Sequence, residues 1–263
     1  MYLLLYNIFL FVFRAGVRLA ALVNPKAKLW VEGRKNIFER LEKAFNKKDK
    51  TIWFHCASLG EFEQGRPVME RIKIDYPSYK ILITFFSPSG YEVRKNYEVA
   101  DYIFYLPIDS AVNAKRFLDI INPSLVFFVK YEFWYYYFKN INDRNIPFLL
   151  ISAVFRNNQV FFKWYGKLYR NMLNSFTHLF VQDLASVELL RKLGLEKNVS
   201  VAGDTRFDRV AEIAGKFEPI TIIENFCNNQ RVIVAGSTWP DDEKKLNEVF
   251  AAIKDPTLKL IIA

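Results

Sequence analysis

Between positions 51 and 203 the chain carries seven short runs in which apolar residues follow one another almost without interruption. They are TIWFHCA (Thr51–Ala57), KILITFF (Lys80–Phe86), DYIFYLP (Asp101–Pro107), SLVFFV (Ser124–Val129), IPFLLIS (Ile146–Ser152), THLFVQ (Thr177–Gln182) and VSVAG (Val199–Gly203). Continuous apolar character predicts strands buried on both faces. The intervening EFEQGRPVMERIKI, SAVNAKRFLDII and LASVELLRKLG have helical patterning and read as crossovers. The expected fold class is α/β, a mostly parallel sheet with helices on both faces. Ligands of such sheets bind beyond the carboxyl ends of the strands, so the loops at 58–61, 87–90, 107–110 and 130–134 are expected on one rim, where chemistry belongs.

Ahead of the sheet, WVEGRKNIFERLEKAFNKKDK (Trp30–Lys50) predicts one amphipathic helix with Ile37, Leu41 and Phe45 on its apolar stripe. Before it lies MYLLLYNIFLFVFRAGVRLAALV (Met1–Val23), whose only charges are Arg14 and Arg18. Its uncharged, largely apolar run ends at Phe13, short of the roughly 20 residues that span a bilayer. Crossing with the whole segment would carry two arginines deep. An interfacial or shallowly inserted helix is therefore expected, its arginines reaching anionic headgroups; the competing reading is a buried helix capping a soluble domain. No basic residue precedes the apolar run, so it is a poor secretory signal. Lys26, Lys28, Arg34 and Lys35 follow closely, which fits the cytoplasmic side of a membrane.

After Asp208 the pattern weakens into a linker with one marginal helix, and RVIVAGSTWPDDEKKLNEVFAAIKDPTLKLIIA restarts with strand, loop, helix and strand. The expected divisions are a membrane-associated helix at 1–24, an α/β domain at 25–212, a linker at 213–230, and at 231–263 the opening of a second α/β domain whose remainder is missing. Docking of that last piece on the first sheet is the alternative.

Composition narrows the chemistry. With 51% hydrophobic residues among 263, the chain can build a real core. Lys and Arg outnumber Asp and Glu 37 to 28, which favours an anionic partner without choosing nucleic acid, phospholipid or a phosphorylated small molecule. Cys56 and Cys227 are too isolated for a disulfide framework or a zinc site, and His55 and His178 are the only histidines, so no metal-ligating set is expected. Acid–base work then falls mainly to carboxylates, Lys or Tyr. Neither a dinucleotide fingerprint nor a Walker loop is present. The many Phe and Tyr fall in strand-like or membrane-like runs, so core packing explains them and nucleic-acid binding is not expected.

Three rim segments carry candidate chemistry. In HCASLGEFEQG, Gly60 is expected to allow a tight strand-to-helix turn. Glu61 then has two readings: the second half of a capping box with Ser58, or a general base. Ser87-Pro88-Ser89-Gly90 can hold a phosphate or simply cap a helix. Lys130-Tyr131-Glu132-Phe133-Trp134 places a cation and an anion at the crevice mouth, or a local ion pair beside core aromatics.

Taken in order and spacing, these motifs resemble the 3-deoxy-D-manno-octulosonic acid (Kdo) transferases of lipopolysaccharide biosynthesis, over essentially the whole chain. Gly33 to Lys35, Ser58-x-Gly60-Glu61, TFFSPSG with Ser89 in a threonine place, and YLPID (Tyr105–Asp109) match family segments. YEFW resembles Glu-Thr-Glu-x-Trp, with Glu132 and Trp134 in place, Lys130 and Tyr131 replacing Glu and Thr, and Tyr135 replacing Pro. SAVFR (Ser152–Arg156) is a looser match with Val154 where Arg is common; VAGDTRFD keeps a positive charge at Arg206, and AGSTW (Ala235–Trp239) resembles the entry to a second domain.

The resemblance implies a GT-B-type glycosyltransferase with Rossmann-like domains, on the cytoplasmic face of the bacterial inner membrane. It would move Kdo from CMP-Kdo to a lipid A precursor (lipid IVA) by inverting, metal-independent displacement, with no cofactor and no obligate protein partner. It implies Glu61 as general base with Glu132 beside it. Acceptor or anion contacts would come from Ser58, Gly60, Ser87, Ser89, Gly90, Lys130, Arg156 and Arg206, and donor-side contacts from Ser237 and Thr238. Competing readings are a catalytically silent membrane-bound scaffold or acceptor-binding module, and another lipid-linked GT-B glycosyltransferase.

Overall fold

The computed structural model describes residues 2–46, 48–130 and 132–263. Its first elements are three helices, α1 (Tyr2–Ala20), α2 (Pro25–Glu32) and α3 (Ile37–Ala44). The sheet region then runs β1 (Thr51–Cys56), α4 (Leu59–Asp75), β2 (Lys80–Phe85), α5 (Pro88–Arg94), β3 (Tyr102–Tyr105), α6 (Ala111–Ile121) and β4 (Pro123–Val129). It continues through α7 (Tyr135–Asp143), β5 (Phe148–Ala153), a 3₁₀ turn at Val160–Phe162, α8 (Lys167–Leu173), β6 (His178–Val181), α9 (Leu184–Arg191) and β7 (Val199–Val201). All seven apolar runs are strands. They form one parallel sheet in the order β3-β2-β1-β4-β5-β6-β7.

The strands from β1 to β6 feed two cores, as the period of two requires. From β1, Ile52, Phe54 and Cys56 join the layer under α4 with Phe62 and Met69, while Trp53 joins the opposite layer with Phe117 of α6 and Tyr137 of α7. Trp53 packs edge-on against Phe117, Phe128 and Tyr137 at ring separations of 5.0–5.8 Å. With both faces covered, alternation would have left polar residues buried, which is why the strands read as unbroken apolar runs. The strand order reverses between β1 and β4, and that junction opens the crevice.

The single helix expected over Trp30–Lys50 is instead two, α2 and α3, broken at 33–36. Gly33 lies so close to Tyr105 that an added Cβ would sit 2.1 Å from its ring, and Asn36 is left-handed at φ 48°. The break turns Arg34 inward, where it donates to the carbonyls of Trp30, Phe86 and Leu106 at 2.9–3.1 Å. The guanidinium lies 3.9 Å from the Trp30 ring centroid, with Phe86 and Tyr105 also against it. This half-buried cation fastens the helical front layer to the ends of β2 and β3.

Helix α1 is long and apolar enough to cross a membrane, by length and composition only. Tyr6 and Leu10 are buried against the domain and Phe13 packs edge-on against Trp30 and stacks on Phe86, while Leu4, Ile8, Phe11, Val12 and Leu19 are exposed.

The chain divides into two units, 1–210 and 211–263, within α10 (Arg206–Gly215). The second holds α11 (Thr221–Cys227) and a parallel βαβ unit, β8 (Arg231–Ala235), α12 (Pro240–Ile253) and β9 (Leu258–Ile262). Among its described residues none is buried. Two strands with the helices α11 and α12 enclose too little apolar surface for a core of their own.

Candidate functional site at the sheet switch point

The crevice between the ends of β1 and β4 brings two carboxylates together. Beyond β1 the backbone is extended at Ser58, and α4 begins one residue later. Glu61 thus falls in its first turn, and its carboxylate accepts the Ala57 N–H. Ser58 makes no side-chain cap, so only the Glu61 half of the capping box is present. Burial pushes the Glu61 carboxyl up to about 7, with the Glu132 charge adding to the rise and the Ala57 N–H and Lys130 opposing it. A carboxyl so placed is divided between acid and base forms at neutrality, which suits proton transfer.

Glu132 is fixed from behind. Its Oε2 lies 2.7 Å from His55 Nε2 and 3.1 Å from Trp134 Nε1. His55, itself buried, places Nδ1 2.9 Å from Thr84 Oγ1, which accepts from Trp53 Nε1 at 2.7 Å. His55 Nε2 donates to the Glu132 carboxylate, and its Nδ1 shares a hydrogen bond with the Thr84 hydroxyl, which also lies 3.5 Å from the Phe54 carbonyl oxygen. The result is a hydrogen-bonded line through the sheet, Trp53–Thr84–His55–Glu132–Trp134, that sets the second carboxylate beside the first. Sequence reasoning missed His55 and Thr84 as members of this site. The available signal was register: each is the fifth residue of its strand, and they pair directly across β1 and β2.

The loop bearing Glu132 is itself buttressed. Asp109 accepts from the N–H groups of Tyr136 and Tyr137 at 3.0 and 3.1 Å, capping α7, and from the Tyr6 hydroxyl at 2.6 Å. The Tyr6 oxygen in turn accepts the Tyr135 N–H at 3.2 Å. Burial raises the Asp109 carboxyl to about 6, against the lowering effect of those donors. The first turn of α7 is therefore capped jointly by the YLPID loop and by α1.

The remaining expected residues are spread along the rim. Lys130 is left-handed at φ 63° and its charge acts on Glu61; Ser152, at the end of β5, is likewise left-handed at φ 55°. Such non-glycine conformations cost about 1–3 kcal/mol each and cluster at working sites. Tyr131 lies outside the described residues. Ser87 caps α5 by accepting the Ser89 N–H, and its own N–H donates to Ala57, so this loop abuts the Glu61 turn. Gly90 allows that approach, since a Cβ would strike the Phe85 ring at 2.3 Å.

Gly60 differs from expectation. It has no positive φ, and a Cβ there would meet nothing within 4 Å, because Ser58 makes the turn. Arg156 is exposed beyond β5. Arg206 is engaged by Asp204, its Nη2 2.5 Å from Oδ2, which holds the Asp204 carboxyl down at about 2. Asp204 also accepts from Gln64 of α4, and Thr205 bonds to Ser152, which ties this segment to the same rim. Cations instead gather beside α1, where Arg14, Arg18, Arg34, Lys35 and Arg116 line a cleft of about 460 Å³. In the second unit, Ser237 is left-handed at φ 58° and Thr238 donates to Glu243, both in the β8–α12 turn.

Residues 35–209 match the family described as 3-deoxy-D-manno-octulosonic-acid transferase (kdotransferase). The chain belongs to that family. Curated relatives include the 3-deoxy-D-manno-octulosonic acid transferases of Haemophilus influenzae, 28% identical over 80% of this chain and 51% of the relative, and of Aquifex aeolicus, 28% identical over 86% and 59%. The chain spans about half the length of the curated relatives it matches. Among solved structures, the UDP-GlcNAc 2-epimerase of Neisseria meningitidis superposes with a TM-score of 0.58 at 19% identity, covering 81% of this chain and 64% of that one. The wall teichoic acid polymerase TagF does so at 0.50 and 17%, covering 96% and 65%. At such identities the likeness concerns fold alone, and it is the Rossmann-like α/β fold of GT-B proteins.

Proposed function

We propose that the protein acts as a Kdo transferase on an acceptor held at a membrane surface, with Glu61 as general base. The observation that carries this reading is the switch-point pair: a Glu61 carboxyl titrating near neutrality, facing a Glu132 that His55 and Trp134 hold in place. In the reaction a hydroxyl oxygen of the lipid A precursor bonds to the anomeric carbon of Kdo as the bond from that carbon to the CMP phosphate oxygen breaks. The hydroxyl proton passes to Glu61, and CMP departs with the bonding pair. Attack opposite to the leaving group inverts the anomeric centre. Glu132 keeps Glu61 basic through its charge and can orient the acceptor, while Lys130 supports the anionic partner.

Ser237 and Thr238 are proposed for the donor side, in the turn after β8. The exposed apolar face of α1 and the arginines and lysine beside it support attachment to the cytoplasmic leaflet of the inner membrane, where lipid phosphates meet Arg14, Arg18, Lys35 and Arg116. No cofactor is invoked. The deciding experiment measures transfer to a radiolabelled lipid A precursor from a panel of nucleotide sugars. Transfer from CMP-Kdo, lost in Glu61→Gln, is expected; transfer only from another donor, or full activity in Glu61→Gln, would overturn the reading.

A further inference from the structure

Trp164 is the most exposed tryptophan among the described residues, 87% accessible, and its neighbour Tyr165 is 48% accessible. Neither belongs to a frayed loop. Just before them Phe161 is buried against Phe133, Phe155 and Tyr169. Gly166 passes so near the Val160 carbonyl that a Cβ would lie 1.9 Å from its oxygen, and Arg170 donates to the carbonyls of Phe161 and Lys163 at 3.0 and 2.7 Å. The fold thus builds a firm turn that holds two amphipathic rings out from the domain, and Lys163 and Lys167 flank them.

The turn stands next to α1. Between them runs an apolar groove of about 370 Å³, walled by Tyr2, Leu5, Tyr6 and Phe9 on one side and by Tyr165, Leu168 and Tyr169 among others on the other. The groove opens onto the exposed side of α1, where Leu4, Leu5, Ile8 and Phe9 are all at least half accessible. We propose that the Trp164–Tyr165 turn is a second membrane-contacting element, which with α1 seats the domain on a lipid leaflet and takes an acyl chain into the groove between them. This rests on the reading of α1 as a membrane helix. Tryptophan and tyrosine rings with adjacent lysines suit the headgroup boundary, the rings buried at their apolar edges and the ammonium groups near lipid phosphates. Two attachment points separated along the surface also fix the tilt of the domain, which one helix leaves free.

The test uses vesicles of mixed phosphatidylcholine and phosphatidylglycerol, with and without brominated acyl chains that quench nearby tryptophan. In a Trp239→Phe background, which removes the other highly exposed tryptophan, the chain should show strong quenching that Trp164→Phe removes for the most part, since Trp30 and Trp53 are buried and Trp134 is partly buried. Trp164→Ser with Tyr165→Ser should weaken vesicle partitioning on the order of tenfold with an unchanged melting transition. Phe11→Ser with Leu19→Ser, at exposed positions of α1, serves as the anchor control. If the α1 pair weakens binding while the Trp164 pair does not, and quenching survives in Trp164→Phe, the second contact is refuted and the anchor stands. If neither pair changes partitioning, both fall.

Discussion

The raised basicity of Glu61 gives the general-base reading a signature that a merely structural glutamate lacks. With its carboxyl at about 7, roughly a tenth of the molecules carry the base form at pH 6 and roughly nine-tenths at pH 8, so single-turnover transfer should climb almost tenfold across that interval. A glutamate at its ordinary value would be ionised throughout and the profile flat. Glu61→Gln should lower the rate by about 10² to 10⁴ and abolish the limb. Glu132→Gln removes the second cause of the rise and should slide the limb to lower pH. Stability supplies an independent check of sign. Because the folded carboxyl binds its proton more tightly than the unfolded one, its contribution is complete below the ordinary value of 4.5 and is lost as pH rises through 7, by about 3 kcal/mol at most. Glu61→Gln, which stays neutral, should therefore be no less stable than the parent at pH 8. A flat profile from pH 6 to 8 in the parent, or a limb that persists in Glu61→Gln, would refute the assignment.

Three further outcomes follow from the packing. Tyr6→Phe leaves Asp109 and the first N–H of α7 each short of a partner and should cost about 1–3 kcal/mol, read as a lower denaturant midpoint at unchanged slope. Gly33→Ala, which meets the Tyr105 ring, should destabilise by about 1–3 kcal/mol, whereas Gly60→Ala should be tolerated and slightly favour α4; thermal melting of the two compares a close approach with an open site. Arg206→Met breaks the Asp204 pair at a largely exposed position and should cost about 1 kcal/mol or less, so a selective loss of affinity for phosphorylated over dephosphorylated acceptor would mark it as an anion contact rather than a local tie.

The seven strands and the rim were legible because burial on both faces leaves an unbroken apolar signature, and because parallel strands put every following loop at one end. Glu61 and Glu132 were legible as carboxylates in those loops. What failed to show was anything that depends on register or close approach. The break at Gly33 falls ahead of the stripe of Ile37, Leu41 and Phe45, so the stripe carried no sign of it; it is enforced by a ring from β3, remote in sequence. His55 read as one polar residue in a core strand, and only pairing with Thr84 reveals it as the support of Glu132. Trp164 and Tyr165 lay in a loop whose spacing says nothing of its nearness to α1.

That nearness, and the bond from Tyr6 to Asp109, change how the anchor must be tested. Read as sequence, residues 1–23 are a membrane element, and deleting them should release the domain from anionic lipid. In the structure α1 supplies buried Tyr6 and Leu10, the Phe13 ring against Trp30 and Phe86, and part of the cap on α7. Phe86 touches Trp134, and Trp134 holds Glu132. Removing the helix would therefore loosen the loop that sets the second carboxylate, and a loss of transfer after deletion would not separate attachment from catalysis. Substitutions confined to the outward face, at Phe11 and Leu19, remove lipid contact and leave the inward bonds whole. A protein so altered should keep single-turnover chemistry on detergent-dispersed acceptor and lose it on vesicles, an outcome that assigns the outer face of α1 to the membrane and its inner face to the site.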